Sequence, residues 1–89
     1  FKPQAGESTS IQYILSADAR ITIILYDITG HEVKKIVAGA GSNGGRAGIN
    51  SVSWNGKTIF GQTAGNGMYL YKIVSGNRVL GSGKIVVFD

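Results

Sequence analysis

Few side chains in this sequence could carry catalysis. The carboxylates are Glu7, Asp18, Asp27, Glu32 and Asp89, and His31 is the sole imidazole. Acid–base hydrolysis needs carboxylates converging on one bond, and nucleophilic catalysis needs a nucleophile, a base and a group that orients the base. These spacings suggest neither: His31 follows Gly30 at what reads as a hairpin tip, where nothing would shield it from water. No catalytic residue is assigned, and the chain is not read as an enzyme. The stretch Gly39-Ala40-Gly41-Ser42-Asn43-Gly44 has the letters of a dinucleotide-binding fingerprint. That fingerprint works through a helix N-terminus directly after the glycines and an acidic residue about 20 positions on. Here Gly45, Arg46, Ala47 and Gly48 follow, and no acidic residue occurs before Asp89, so no cofactor is expected. There is no Asp-x-Asp or His-x-His pair and no cysteine, so neither a metal centre nor a disulfide is expected. Asp27 is read as the cap of its own turn.

Binding chemistry is better supplied. The net charge is +4, and Lys34, Lys35, Arg46, Lys57, Lys72, Arg78 and Lys84 all lie between Val33 and Phe88, a stretch without an acidic residue. A field of that sign attracts anionic polymers or an acidic partner domain, whereas scattered lysines also serve simply to guard strand edges. Lys34, Lys35, Arg46, Lys72 and Arg78 are singled out as a partner-binding surface. Trp54, Tyr13, Tyr26, Tyr69 and Tyr71 could stack on sugars or bases, but aromatics at alternating strand positions more often pack a core. The aromatics and the basic residues do not interleave in one motif, which argues against nucleic acid and leaves a polysaccharide as the alternative ligand.

These side chains sit on segments that read as strands. With 89 residues the chain is expected to form one domain, and its 14 glycines and single proline suit strands and turns. Glu7 to Leu15 alternates with period two, placing Thr9, Ile11, Tyr13 and Leu15 inward. Arg20 to Asp27 is apolar on both faces and is expected to be central. Asp27-Ile28-Thr29-Gly30 is a tight reversal, and His31 to Val37 reads as an edge strand protected by its lysines, with a short helix as the alternative. Gly39 to Gly48 is expected to be a mobile loop and Ile49 to Trp54 a strand that ends in an Asn55-Gly56 turn. Lys57 to Asn66 is an irregular connection whose Ile59 and Phe60 are expected to cover the end of the core. Gly67 releases a strand through Val74, with Tyr69, Tyr71 and Ile73 on its packing face, and a turn at Ser75 to Arg78 leads to a last strand through Phe88. Six or seven short strands without a crossover helix predict an all-β, antiparallel immunoglobulin-like sandwich of about seven short strands. No apolar run approaches the ~20 residues of a membrane span.

Four stretches form a familiar series: Ile23-Ile24-Leu25-Tyr26-Asp27-Ile28-Thr29-Gly30-His31-Glu32-Val33, Asn50-Ser51-Val52-Ser53-Trp54-Asn55-Gly56-Lys57, Gly67-Met68-Tyr69-Leu70-Tyr71-Lys72-Ile73 and Gly83-Lys84-Ile85-Val86-Val87-Phe88. In order and spacing they resemble the FlgD-like family, the immunoglobulin-like domain of the flagellar hook-capping protein, and the related C-terminal sorting domains of type IX secretion. The resemblance implies core positions for Tyr26, Val33 and Trp54, and a turn at Asn55-Gly56, where Asp-Gly is commoner. It also implies a non-catalytic accessory module, residues 1 to 89, at the C-terminal end of a secreted or cell-surface bacterial protein. Its partners would be other domains of that protein or secretion and cell-surface machinery.

Overall fold

The computed structural model describes residues 1–89. After a short 3-10 turn, Pro3–Ala5, six strands follow: β1 (Thr9–Leu15), β2 (Ile21–Asp27), β3 (Glu32–Ala38), β4 (Gly48–Trp54), β5 (Gly67–Ser75) and β6 (Arg78–Val87). They form two antiparallel sheets, a two-stranded β1-β4 pair and a four-stranded sheet in the order β3-β2-β5-β6. The all-β sandwich and the segments assigned to strands are as the sequence predicts, with six strands and an irregular Lys57–Asn66 connection held by one bridge, Lys57 to Thr63. No helix is long and apolar enough to cross a membrane.

The core forms where the period-two patterns of the two sheets meet. Ile11, Leu15, Val52 and Trp54 come from the small sheet, and Ile21, Ile23, Leu25, Tyr69, Ile73, Ile85 and Val87 from the large one. Each fully buried aliphatic side chain contributes about 1.5–3 kcal/mol, so these strands hold together through their shared face. Trp54 lies at the centre of this layer. Its ring makes edge contacts with Phe1 and Tyr69 at centroid distances of 5.6 and 5.8 Å, and its Nε1–H donates to the Lys57 carbonyl at 2.9 Å. Phe1 thus covers one side of the indole.

β2 is central, between β3 and β5, and β3 is an edge strand, as expected. A bulge opposite Leu25 and Tyr26 adds one residue to β3, and the extra residue, Val33, packs against the core. On the opposite edge, Tyr71 pairs with Gly83, and a side chain at Gly83 would collide with the tyrosine ring. The ring takes the place of the missing β6 side chain, a known device for edge glycines.

Three expectations are corrected. Ile59 and Phe60 do not close the core: they are 54% and 81% exposed, because Phe1 and Ala64 fill that end instead. Tyr26 is not a core residue, since the inward register of β2 falls on Ile21, Ile23 and Leu25 and leaves Tyr26 on the outer face.

The third concerns the Gly39–Gly48 loop, which is a hydrogen-bonded structure. Asn50 occupies an inward position of β4 and is fully buried. Its side chain accepts from the Gly44 N–H at 3.0 Å and donates to the carbonyls of Arg46 and Gly48 at 2.8 and 3.2 Å. Tyr13, its cross-strand neighbour, donates to the Gly44 carbonyl at 2.6 Å. Gly44 and Gly45 are buried under this clamp, and a Cβ on Gly45 would run into the carbonyls of Gly39 and Ala19. The glycines are there for close backbone approach, not for looseness.

Candidate functional site

The two sheets present different outer surfaces. On β1 and β4 the outward residues are Ser10, Gln12, Ser51 and Ser53, with one exposed apolar pair, Ile14 opposite Ile49. A shallow depression of about 410 Å³ beside that pair, lined by Gln12, Tyr13, Ile14 and Ile49, has no charged residue. The outer face of the four-stranded sheet is apolar at its centre and basic around it. Its cross-strand rows run Val37-Thr22-Val74-Val79, then Lys35-Ile24-Lys72-Ser82, then Glu32-Tyr26-Leu70-Lys84, with Met68 beside Val86 at one end.

Two of the five basic residues singled out from the sequence meet here. Lys35 and Lys72 flank Ile24 across β3, β2 and β5. Lys72 Nζ stands 5.5 Å from the centre of the Tyr26 ring, a cation–π pair that holds the ammonium over the face. Lys35 also lies 3.7 Å from Glu32, an exposed ion pair of the kind that contributes little to stability. Ile24, Tyr26, Gly30, Glu32 and Lys72 line an open groove of about 300 Å³. Lys34 lies on the same edge strand, half-buried opposite Leu25.

Arg46 and Arg78 do not join this face. They lie at one end of the sandwich, on the glycine loop and the β5–β6 turn, where Gly45 accepts from the Ala19 N–H and Val74 bridges Thr22 and Val79. The sequence reading missed Lys84, which completes the basic set beside Leu70 and Tyr26. Its alternation against buried Ile85 and Val87 marks it as outward, but only the strand order places it beside Lys72.

The Asp27–His31 turn brings a carboxylate, a hydroxyl and an imidazole together. Asp27 Oδ1 accepts from the Thr29 N–H at 2.9 Å, the His31 N–H at 3.0 Å and the Thr29 hydroxyl at 2.6 Å. The hydroxyl's only proton points to Asp27, so the 2.8 Å contact between Thr29 Oγ1 and His31 Nδ1 requires the imidazole to donate from Nδ1. Thr29 is therefore not aimed as a nucleophile, and the His31 side chain is 83% exposed. The expected capping role of Asp27 is what this geometry performs.

The Thr29 hydroxyl bond holds the Asp27 carboxyl below its ordinary value against the opposing effect of desolvation, and the backbone N–H groups of His31 and Thr29 add to the lowering. A carboxyl whose pKa is lowered on folding stabilises the fold above the unfolded-state value, and that contribution is lost as pH falls through the depressed native value. Asp27→Asn is thus expected to lower Tm at neutral pH and to leave a shallower fall in Tm below the ordinary carboxylate range. Paired thermal melts from neutral pH to about pH 2 check this, and identical acid limbs would count against the cap. Burial raises the phenols of Tyr13 and Tyr69, with the Asp27 charge adding to the effect at Tyr69. Both hydroxyls stay donors, to the carbonyls of Gly44 and Gly65.

The family model of the FlgD Ig-like domain matches residues 2–78. The match includes β1 to β5 and ends where β6 begins, although β6 completes the four-stranded sheet. No curated protein matches the chain. Among solved structures, FlgD from P. aeruginosa is similar in fold, with a TM-score of 0.71 at 20% identity over 91% of this chain and 61% of that one. With most of its length matched by the family model, the chain belongs to the FlgD Ig-like domain family.

Proposed function

We propose that this chain is a non-catalytic accessory module of a secreted or cell-surface bacterial protein, and that it docks through the outer face of its four-stranded sheet. The partner would be another domain of the parent protein or the secretion or cell-surface machinery. The observation that carries the reading is the asymmetry of the two sheets: the outer face of β1 and β4 bears no charge and one apolar pair, Ile14 with Ile49, whereas the other sets Ile24, Tyr26, Leu70 and Val74 among Lys35, Lys72 and Lys84. An apolar centre edged by cations suits a partner whose apolar patch is rimmed by carboxylates. Family membership supports a structural role.

Fusing these residues to a reporter in a bacterium with type IX secretion tests the sorting form of this role. Reporter at the cell surface or in the medium is the expected result, with loss of that export when Lys72→Glu and Lys84→Glu are combined. Reporter retained in the periplasm rejects sorting. The second reading, recognition of an anionic polysaccharide, draws on the cation held over Tyr26. Salt-sensitive retention on immobilised heparin that disappears in the same double variant favours it, and failure to bind any member of a glycan array removes it.

A further inference from the structure

We propose that the outer edge of β6 is an acceptor site for an extended polypeptide strand running parallel to it, supplied by chain joined to the amino end of Phe1. The first rung of that ladder is already in place. The Phe1 nitrogen donates to the Val86 carbonyl at 2.6 Å, and the Phe88 N–H donates to the Phe1 carbonyl at 3.2 Å. Two such bonds, reaching to the residues on either side of Val87, are the pattern of a parallel bridge between Phe1 and Val87.

The direction of anything attached to Phe1 is fixed by its anchors. Its ring packs edge-on against buried Trp54 at 5.6 Å. Just after it, the Lys2 N–H donates to Glu7 at 2.8 Å, the Gln4 N–H donates to Asp89 at 3.0 Å, and Pro3 is buried. Pinned from the side chain and from the following backbone, Phe1 points its nitrogen along the edge of β6.

That edge has unpaired groups to offer. The Val86 carbonyl faces away from β5, so by strand alternation the backbone groups of Ser82, Lys84 and Val86 face the same way, and none of the hydrogen bonds outside the sheet ladders reaches Ser82 or Lys84. Two other edges each receive a bond from the chain itself: the Val33 carbonyl on β3 accepts from the Ile59 N–H at 2.9 Å, and the Ser51 carbonyl on β4 from the Asn43 side chain at 3.3 Å. A parallel strand in register with the Phe1–Val87 bridge would place the second residue before Phe1 between the Lys84 carbonyl and the Val86 N–H, and the fourth between the Ser82 carbonyl and the Lys84 N–H. The site ends at Leu80, the extra residue where the pairing of β5 with β6 shifts register. It therefore accepts about five residues at ~3.3 Å each. Such an addition uses main-chain bonds for affinity and removes an open edge. The function would be mechanical: a module joined through a paired strand is held at a fixed angle to what precedes it, where an unpaired linker would let it swing.

The test compares three forms of the protein by hydrogen exchange: the chain as it stands, the chain preceded by Thr-Val-Thr-Val-Thr, and the chain preceded by Gly-Ser-Gly-Ser-Gly. The Thr-Val extension is expected to slow exchange of the Lys84 and Val86 amides at least about tenfold and to raise Tm, and the Gly-Ser extension to do neither. Lys84→Pro removes an N–H from the free edge only, and in the Thr-Val form it is expected to cancel the slowing at Val86. Unchanged exchange at Lys84 and Val86 in the Thr-Val form overturns the proposal, as does slowing confined to amides of β3 or β4. Neither result depends on how the outer sheet face is used.

Discussion

Trp54→Ala is expected to cost about 3–5 kcal/mol, the largest loss of any single substitution in this chain. The residue is 1% exposed and bridges the two sheets from the end of β4. Removing the indole deletes the surface on which Phe1 and Tyr69 rest and leaves the Lys57 carbonyl without its donor. A domain of this size has a total stability on the order of 5–10 kcal/mol, so the variant would melt roughly 15–30 °C lower or be unfolded at physiological temperature. Trp54→Phe separates the contributions. It keeps an aromatic ring in the cavity and removes the Nε1 donor, and the loss should fall to about 1–2 kcal/mol. Urea melts followed by far-ultraviolet circular dichroism measure both. A Trp54→Ala variant within 1 °C of the parent would show that the tryptophan is not the centre of this core.

Asn50→Ala is expected to destabilise by about 2–3 kcal/mol, almost all of it in the glycine loop. The truncation leaves the Gly44 N–H, buried beneath Tyr13 and Val52, without an acceptor, and strips donors from the carbonyls of Arg46 and Gly48. Asn50→Asp is the sharper probe. It preserves shape and the acceptor for Gly44 but turns a carboxylate toward two carbonyl oxygens inside the fold, so at neutral pH it should be no milder than alanine. The readout that distinguishes this role from general packing is local: amide exchange should accelerate across Gly39–Gly48 before it does in β2 or β5. Uniform acceleration would show that the residue supports the core rather than the loop.

These two residues lie in one strand, and they differ in how far the sequence reveals them. Trp54 is legible because Ser51 and Ser53 alternate with Val52 and Trp54, and an indole on the inward side of an alternating strand belongs in the core. Asn50 continues the same inward series, but a polar residue at an inward position is ambiguous until its partners are known. Those partners are backbone groups of the loop just ahead of it, and glycine-rich composition suggests mobility until the carbonyls and N–H groups are counted as satisfied. Tyr26 shows the opposite limit. Both faces of β2 are apolar, so composition could not tell which side the second sheet would cover. The burial of Ile21, Ile23 and Leu25 in the core they share with Trp54 decided it and turned Tyr26 outward.

By itself the sequence determined the strands, the turns at Asp27–Gly30 and Asn55–Gly56, the central place of β2 and the edge place of β3, because each is written in short-range periodicity and turn chemistry. It also carried the family resemblance, which lies in the order of those same motifs. Tertiary structure decided which charges act together. Lys35, Lys72 and Lys84 come from three strands far apart in the chain and meet only through the β3-β2-β5-β6 order, while Arg46 and Arg78 fall at the end of the sandwich. It also decided that Phe1 bonds to the edge of β6, since two hydrogen bonds between the first residue and the last strand leave no local pattern to read. Side-chain alternation gives each residue a face, but only long-range hydrogen bonding gives it neighbours.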